Sequence, residues 1–68
     1  MNFNAALTCA GNGSHIRRAN WLNPLRWNGR ALEFVKAVKT DAARLDRSYR
    51  PTGKDLCARD WEVADAQP

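Results

Sequence analysis

With only 68 residues, this chain can bury about 60% of the surface that it exposes when unfolded. We therefore expect a single domain over residues 1–68, with residues 66–68 as a loose tail. Hydrophobic residues make up 44% of the sequence, which is enough for a folded core and argues against a disordered chain. A deep catalytic pocket is hard to enclose in so small a domain. The sequence also contains no paired-carboxylate motif, glycine-rich phosphate loop or nucleophile motif, so it gives no support for catalysis.

The few potential metal ligands lie far apart in the sequence. Cys9, Cys57 and the single His15 show none of the spacings of a zinc site, so we expect no metal and no cofactor. Met1–Ser14 lacks a basic residue, which argues against a secretory signal peptide and for a reducing cytoplasm. Both thiols are expected to be unpaired and buried as small hydrophobes. No apolar run approaches the ~20 residues of a membrane-spanning helix.

The positive charge is confined to the first half of the chain. The net charge is +4, and residues 1–32 carry no acid but four arginines: Arg17, Arg18, Arg26 and Arg30. Residues 33–68 carry equal numbers of basic and acidic side chains. Arginine binds phosphate through two parallel hydrogen bonds and stacks on flat rings. A nucleotide, a nucleic acid or an acidic protein surface is therefore the class of partner indicated, and a solvated basic face is the plainer alternative.

The first segment has the features of a short helix over residues 3–10. Asn2 is a good N-cap because its side-chain oxygen can accept an unpaired backbone N–H. Gly11 and Gly13 favour a left-handed end to the helix. The apolar residues follow the i, i+3, i+4, i+7 spacing of one helix face: Phe3, Ala6, Leu7 and Ala10.

Residues 14–22 resemble a strand, and residues 23–29 resemble a loop bounded by Asn-Pro and Asn-Gly. In such a strand Arg17 and Trp21 project from one face, about 13 Å apart at ~3.3 Å per residue. That distance suits a base on one side chain and a phosphate on the other. Trp27 in the loop either folds back onto the core or meets a partner.

The middle of the chain is ambiguous, whereas the end is clear. Leu32–Val38 leans towards a strand by its β-branched and aromatic content, and the alanine-rich stretch from Asp41 leans towards a helix. Thr52 and Asp55 form a capping-box pattern that predicts a short helix through about Arg59. Residues 61–64 predict a closing strand whose alternation points Trp61 and Val63 inward.

Two blocks of sequence resemble the second Thoeris anti-defence family of small phage and prophage proteins. At the start, residues 2–7 read NFNAAL and, after a glycine turn, residues 16–21 read IRRANW. They are similar to the family's Phe-x-x-Ala-Leu helix and to its strand ending Val-x-Arg-x-x-Trp. Near the end, residues 55–63 read DLCARDWEV, which is similar to the family's Asp-Leu-Leu-Ala-x-Asp-Trp-x-Val, with Cys57 in place of the second Leu.

The resemblance implies an α+β fold: a short N-terminal helix packed on a small antiparallel sheet of three to four strands, with a short second helix before the last strand. It favours strands near 31–38 and 44–49 in the ambiguous middle, where a helix over 31–46 is the alternative. The residues expected to have structural roles are Trp61, Asp55, Thr52, Phe3 and Leu7.

The resemblance also implies a binding protein rather than an enzyme. Members of the family sequester cyclic nucleotide-type immune signals, and they assemble into oligomers with pockets between subunits. By this analogy the protein acts in the cytoplasm of a bacterial host cell as a homo-oligomer, and Trp21 matches a base-stacking ring behind a basic pair. The expected ligand-binding residues are Trp21, Arg17, Arg18, Trp27, Arg26 and Asn20.

Two other functions compete with this interpretation. Residues 22–28 are longer and more basic than the family's turn, and the middle of the chain is short, which leaves open an incomplete pocket and another target. A phage-encoded inhibitor could use this Arg/Trp loop to dock on a bacterial defence complex such as a CRISPR effector, since Trp and Arg dominate interface hot spots. A nucleic-acid binder is disfavoured because the neutral second half limits its footprint.

Overall fold

A computed structural model describes residues 1–39 and 45–64. Its elements in chain order are α1 Phe3–Gly11, β1 Ile16–Arg18, β2 Leu25–Trp27, β3 Leu32–Lys39, β4 Leu45–Ser48, α2 Gly53–Cys57 and β5 Trp61–Val63. The strands that the described residues form make one sheet in the order β4-β3-β2-β1-β5, and all neighbours are antiparallel. The expected α+β class, with a short second helix before the last strand, is confirmed, but the sheet has five strands instead of the expected three to four because Leu25–Trp27 adds one.

Helix α1 forms where the cap and the apolar spacing predict it. The Asn2 side chain accepts a hydrogen bond from the Ala5 N–H at 2.8 Å, which satisfies one of the unpaired donors of the first turn. Ala6 and Ala10 are buried, because their small side chains let the helix lie close to β1, β2 and β5. Phe3 and Leu7 pack against the same core from the helix margins.

The sheet has one apolar face and one charged face. Ile16 lies opposite Leu25 on β2 and opposite Val63 on β5, and directly opposed residues of antiparallel strands share a face. The core joins this face to α1 through Ala6, Ala10, Ile16, Leu25, Leu32 and Trp61. We call this apolar face of the sheet, which packs against α1, the helix face. The other face carries cross-strand ion pairs between Arg17 and Glu62 and between Arg26 and Glu33.

The prediction of one loop over residues 23–29 was wrong, because Leu25–Trp27 is strand β2. Leu25 is fully buried opposite Ile16 and Phe34, so its burial favours a strand where the flanking turn residues suggested a loop. The Asn-Gly pair does form a turn, but it is the turn between β2 and β3. The predicted strand over 14–22 is shorter than expected, because the Trp21 N–H donates to the Arg18 carbonyl at 3.0 Å and the chain turns there.

The ambiguous middle resolves into strands β3 and β4, so the alternative of a helix over residues 31–46 was wrong. Residues 40–44, and the tail expected at 66–68, lie outside the described residues. Neither helix that the described residues form has the length and apolar character needed to span a membrane.

Two finer expectations about burial were wrong. Val63 is 42% exposed although it shares a face with Trp61, which lies on the same strand but is covered by the rings of Phe3 and Trp21. Both cysteines are unpaired, as expected, but Cys57 is exposed at the end of α2 and Cys9 is partly buried.

Candidate functional site

Five aromatic rings form a connected cluster on the helix face of the sheet. Trp61 is buried at its centre, with its ring centroid 5.3 Å from those of both Phe3 and Trp21. Trp21 in turn lies 5.8 Å from Tyr49 and 6.3 Å from Phe34. The α1 side of the cluster is closed, whereas Trp21, Phe34 and Tyr49 remain partly exposed where the sheet extends past the helix.

The carboxylate of Asp55 anchors this cluster to helix α2. It accepts hydrogen bonds from the Tyr49 hydroxyl at 2.8 Å and from the Arg18 guanidinium at 3.2 Å. It also completes the predicted capping box, since the Asp55 N–H donates to the Thr52 hydroxyl at 3.2 Å and the Thr52 N–H donates back to the carboxylate. The Asp55 carbonyl accepts from the indole N–H of Trp61 at 2.9 Å.

This network shifts the pKa of two of its members in opposite directions. Burial acts to raise the pKa of Asp55, but the hydrogen bonds from Tyr49, Arg18 and Thr52 outweigh it, and the pKa lies below its usual value. Burial and the hydrogen bond to Asp55 raise the pKa of Tyr49. Tyr49 therefore stays protonated at neutral pH and donates to a carboxylate that stays ionised.

Three of the arginines expected to bind ligand already hold acidic partners. Arg17 pairs with Glu62 at 2.9 Å, and Arg26 pairs with Glu33 at 2.8 Å. Arg18 bridges Asp55 at 3.2 Å and Asp60 at 2.9 Å. The hydrogen bond and charge of Arg26 lower the pKa of Glu33, and those of Arg18 lower the pKa of Asp60. A ligand that uses these guanidinium groups must share them with the carboxylates or displace the carboxylates.

The expected strand-face geometry of Arg17 and Trp21 was wrong. Arg17 lies on the charged face with Glu62, while the Trp21 ring packs on the helix face against Trp61 and Phe34. The two residues are nevertheless adjacent, because the Arg17 guanidinium donates to the Trp21 carbonyl at 3.2 Å. Arg17 thus orders the backbone that carries the Trp21 ring.

The remaining expected ligand-binding residues lie apart from this cluster. Asn20 is exposed in the turn after β1. Trp27 is 41% exposed at the end of β2, opposite Leu32. Among the described residues, the Trp21 ring contacts the rings of Phe34, Tyr49 and Trp61 but not that of Trp27.

A cleft of about 350 Å³ opens beside the aromatic cluster. The β2–β3 turn and the start of β3 form one wall with Asn28, Ala31, Leu32 and Glu33, and residues 46–50 form the other wall. The pairing between β3 and β4 next to the cleft is irregular, because Glu33 pairs with Ser48 but Val38 already pairs with Asp46. Tyr49 belongs both to the cleft and to the aromatic cluster.

Sequence reasoning missed this cleft and its two arginines, Arg47 and Arg50. The local signal was the run RSYR at residues 47–50, in which an aromatic residue lies between basic ones. A search for charged and aromatic residues in the second half could have found it. Among residues 1–39 and 45–64, no group of three His, Cys, Asp or Glu side chains could hold a metal ion.

The fold and the site together define a small α+β sheet domain that carries a partly exposed aromatic cluster beside a polar cleft. The chain belongs to the Tad2-like family, because the family model described as the Thoeris anti-defense 2-like domain matches residues 1–64. This confirms the resemblance seen in the two sequence blocks and supports a role in countering Thoeris defence. None of the curated proteins and none of the solved structures compared with the chain gives a significant match.

Proposed function

We propose that this protein binds a cyclic nucleotide-type immune signal and holds it without transforming it. The observation that carries the proposal is membership of the Thoeris anti-defense 2-like family over residues 1–64. A counter-defence protein of this size can act on a small signal by lowering its free concentration, which requires binding and no chemistry. The site of action is then the cytoplasm of the bacterial host, where such a signal is made.

The surroundings of Trp21 support a base-stacking role for this ring. Three other rings and the Arg17 side chain hold it in place, so little freedom remains to be lost when a base stacks on the exposed part. Stacking of a base on an aromatic side chain contributes about 1–3 kcal/mol. A charge-assisted bond between arginine and phosphate adds about 1.5–3 kcal/mol. A few such contacts give micromolar or tighter binding when the site is preorganised.

Calorimetric titration with cyclic ADP-ribose isomers and with cyclic dinucleotides tests the proposal. We expect the wild type to bind at least one of them, and Trp21→Ala to weaken that binding by about 5- to 150-fold. Because Trp21 also packs against the core, its variant must first be shown to be folded, and Trp21→Phe serves as a milder version. Leu22→Ala is the matched control, since Leu22 is 95% exposed next to Trp21.

Recovery of the ligand separates sequestration from turnover. After binding, heat denaturation should release the nucleotide with its mass unchanged, as measured by mass spectrometry. Release of a cleaved product would show an enzyme. If none of the nucleotides binds and a defence protein co-purifies instead, the proposal is wrong and the protein inhibitor becomes the better explanation.

A further inference from the structure

We propose that the cleft between the β2–β3 turn and residues 46–50 binds the phosphates of the ligand, with Arg47 and Arg50 as the phosphate-binding residues. The inference rests on the proposed function, because it concerns the same ligand. It assigns the phosphate-binding role to two arginines of the second half of the chain, instead of to Arg17, Arg18 and Arg26.

The charge balance of the described residues favours this assignment. Arg17, Arg18 and Arg26 each hold a carboxylate at 3.2 Å or less. Within the part of the chain that the structure describes, Arg47 and Arg50 form no such ion pair, although both are exposed and line the cleft. A phosphate that enters the cleft can therefore bind two guanidinium groups that hold no ion pair in the described part of the chain, although the charge of Arg47 also acts on Glu33 and helps to lower its pKa. Bonds of this kind between ionised groups are about twice as strong as neutral ones.

The acidic residues of the cleft have other partners. Glu33 is neutralised by Arg26 at 2.8 Å. The carboxylate of Asp46 accepts hydrogen bonds from the Ser48 N–H at 2.9 Å and from the Ser48 hydroxyl at 2.8 Å. These bonds hold the carboxylate of Asp46 against its own strand.

The position of Tyr49 joins the cleft to the aromatic cluster. Its ring centroid lies 5.8 Å from that of Trp21, and the residue also lines the cleft. The hydrogen bond from its hydroxyl to Asp55, at 2.8 Å, fixes the ring between the two regions. A base on the partly exposed rings and a phosphate in the cleft would thus both lie next to Tyr49. The volume of about 350 Å³ lies within the range of small-molecule sites, about 300–1,000 Å³.

Inorganic pyrophosphate is a probe that tests the cleft apart from the proposed function. In two-dimensional NMR titrations at constant ionic strength, we expect saturable shifts of the backbone amides of residues 28–33 and 46–50. The shifts should be lost in Arg47→Gln and Arg50→Gln. Absence of saturable shifts in the wild type, or shifts that persist in both variants, would overturn the inference.

The second measurement uses whichever cyclic ADP-ribose isomer or cyclic dinucleotide the wild type binds. Arg47→Gln and Arg50→Gln should each weaken binding by about tenfold or more. Arg59→Gln is the matched control, because it removes the same charge from an exposed position before β5 and should leave affinity within about threefold. Equal affinity of the wild type and both cleft variants overturns the inference and leaves sequestration standing. If pyrophosphate binds the cleft but no cyclic nucleotide binds the protein, the proposed function fails and the cleft remains a phosphate site.

Discussion

At the scale of single residues, Trp61 contributes more to the core than any other side chain that the structure describes. It is 1% exposed, contacts the rings of Phe3 and Trp21, and donates its indole N–H to the Asp55 carbonyl. Trp61→Ala should lower the free energy of unfolding by about 3–5 kcal/mol, because it leaves a cavity and removes the buried hydrogen bond from the indole to the Asp55 carbonyl. Urea unfolding measures this. Trp27→Ala, at a 41% exposed tryptophan, should change stability much less, and an equal loss in both variants would contradict the prediction.

Asp55 should make stability depend on pH in the acid range. Its pKa is lower in the folded protein than in the unfolded chain, so it contributes stability above the usual value of about 3.9. That contribution is lost as the pH falls through the folded-state pKa. Asp55→Asn should cost about 1–3 kcal/mol at pH 7 and flatten the decline of stability below about pH 5. Thermal unfolding from pH 7 to pH 3 measures both effects.

The control for Asp55 is Asp60→Asn. Asp60 shares Arg18 but is exposed and caps no helix. We expect a smaller loss of stability at pH 7 than in Asp55→Asn. A larger loss in Asp60→Asn would show that the exposed ion pair of Arg18 with Asp60, and not the buried carboxylate of Asp55, holds β1 to the segment before β5.

At the scale of elements, the turn between β2 and β3 determines how the hairpin closes. The Asn28 side chain accepts hydrogen bonds from the N–H groups of Arg30 and Ala31, and Gly29 adopts a φ of +97°. Gly29→Ala should cost about 1–2 kcal/mol from the left-handed backbone alone, since no atom lies within 4 Å of the added methyl. Gly11→Ala is the matched control. The methyl group added at Gly11 likewise has no atom within 4 Å, but Gly11 lies in helix α1, where alanine should be neutral or stabilising. Chemical denaturation measures the free energy of unfolding of the two variants. Equal losses would contradict the prediction that the positive φ of Gly29 makes its replacement costly.

Local signals predicted the elements that depend on neighbouring residues. The cap at Asn2 and the spacing of Phe3, Ala6 and Leu7 act within one helix turn, so α1 was predicted within one residue of its observed end. The capping box of α2 is equally local. Strand β2 was missed because three residues carry too little periodic pattern, and its formation depends on contacts of Leu25 with β1 and β3.

At the scale of the whole molecule, we expect association into an oligomer. A domain of this size has a small core, and small scaffolds commonly need association or covalent staples. The exposed apolar side chains agree with this expectation, since Leu22 is 95%, Leu45 75% and Leu56 53% exposed. Strand β4 also lies at an edge of the sheet, with its four residues exposed. Light scattering at tens of micromolar should give a mass above that of the 7.7 kDa chain, and a monomer mass would contradict the prediction.

The sequence alone determined the two helices with their caps and the family resemblance, because each depends on residue types at short spacing, and the resemblance in turn implied the α+β class. The tertiary structure decided which charges are neutralised and where the open site lies. Arg17 and Glu62 are 45 positions apart in the sequence and become neighbours only when β5 pairs with β1. The two walls of the cleft beside Arg47 and Arg50 likewise meet only because β3 pairs with β4. Strands that are distant in the sequence pair because pairing buries apolar residues of both strands. No local spacing of residues in the sequence specifies which strands pair.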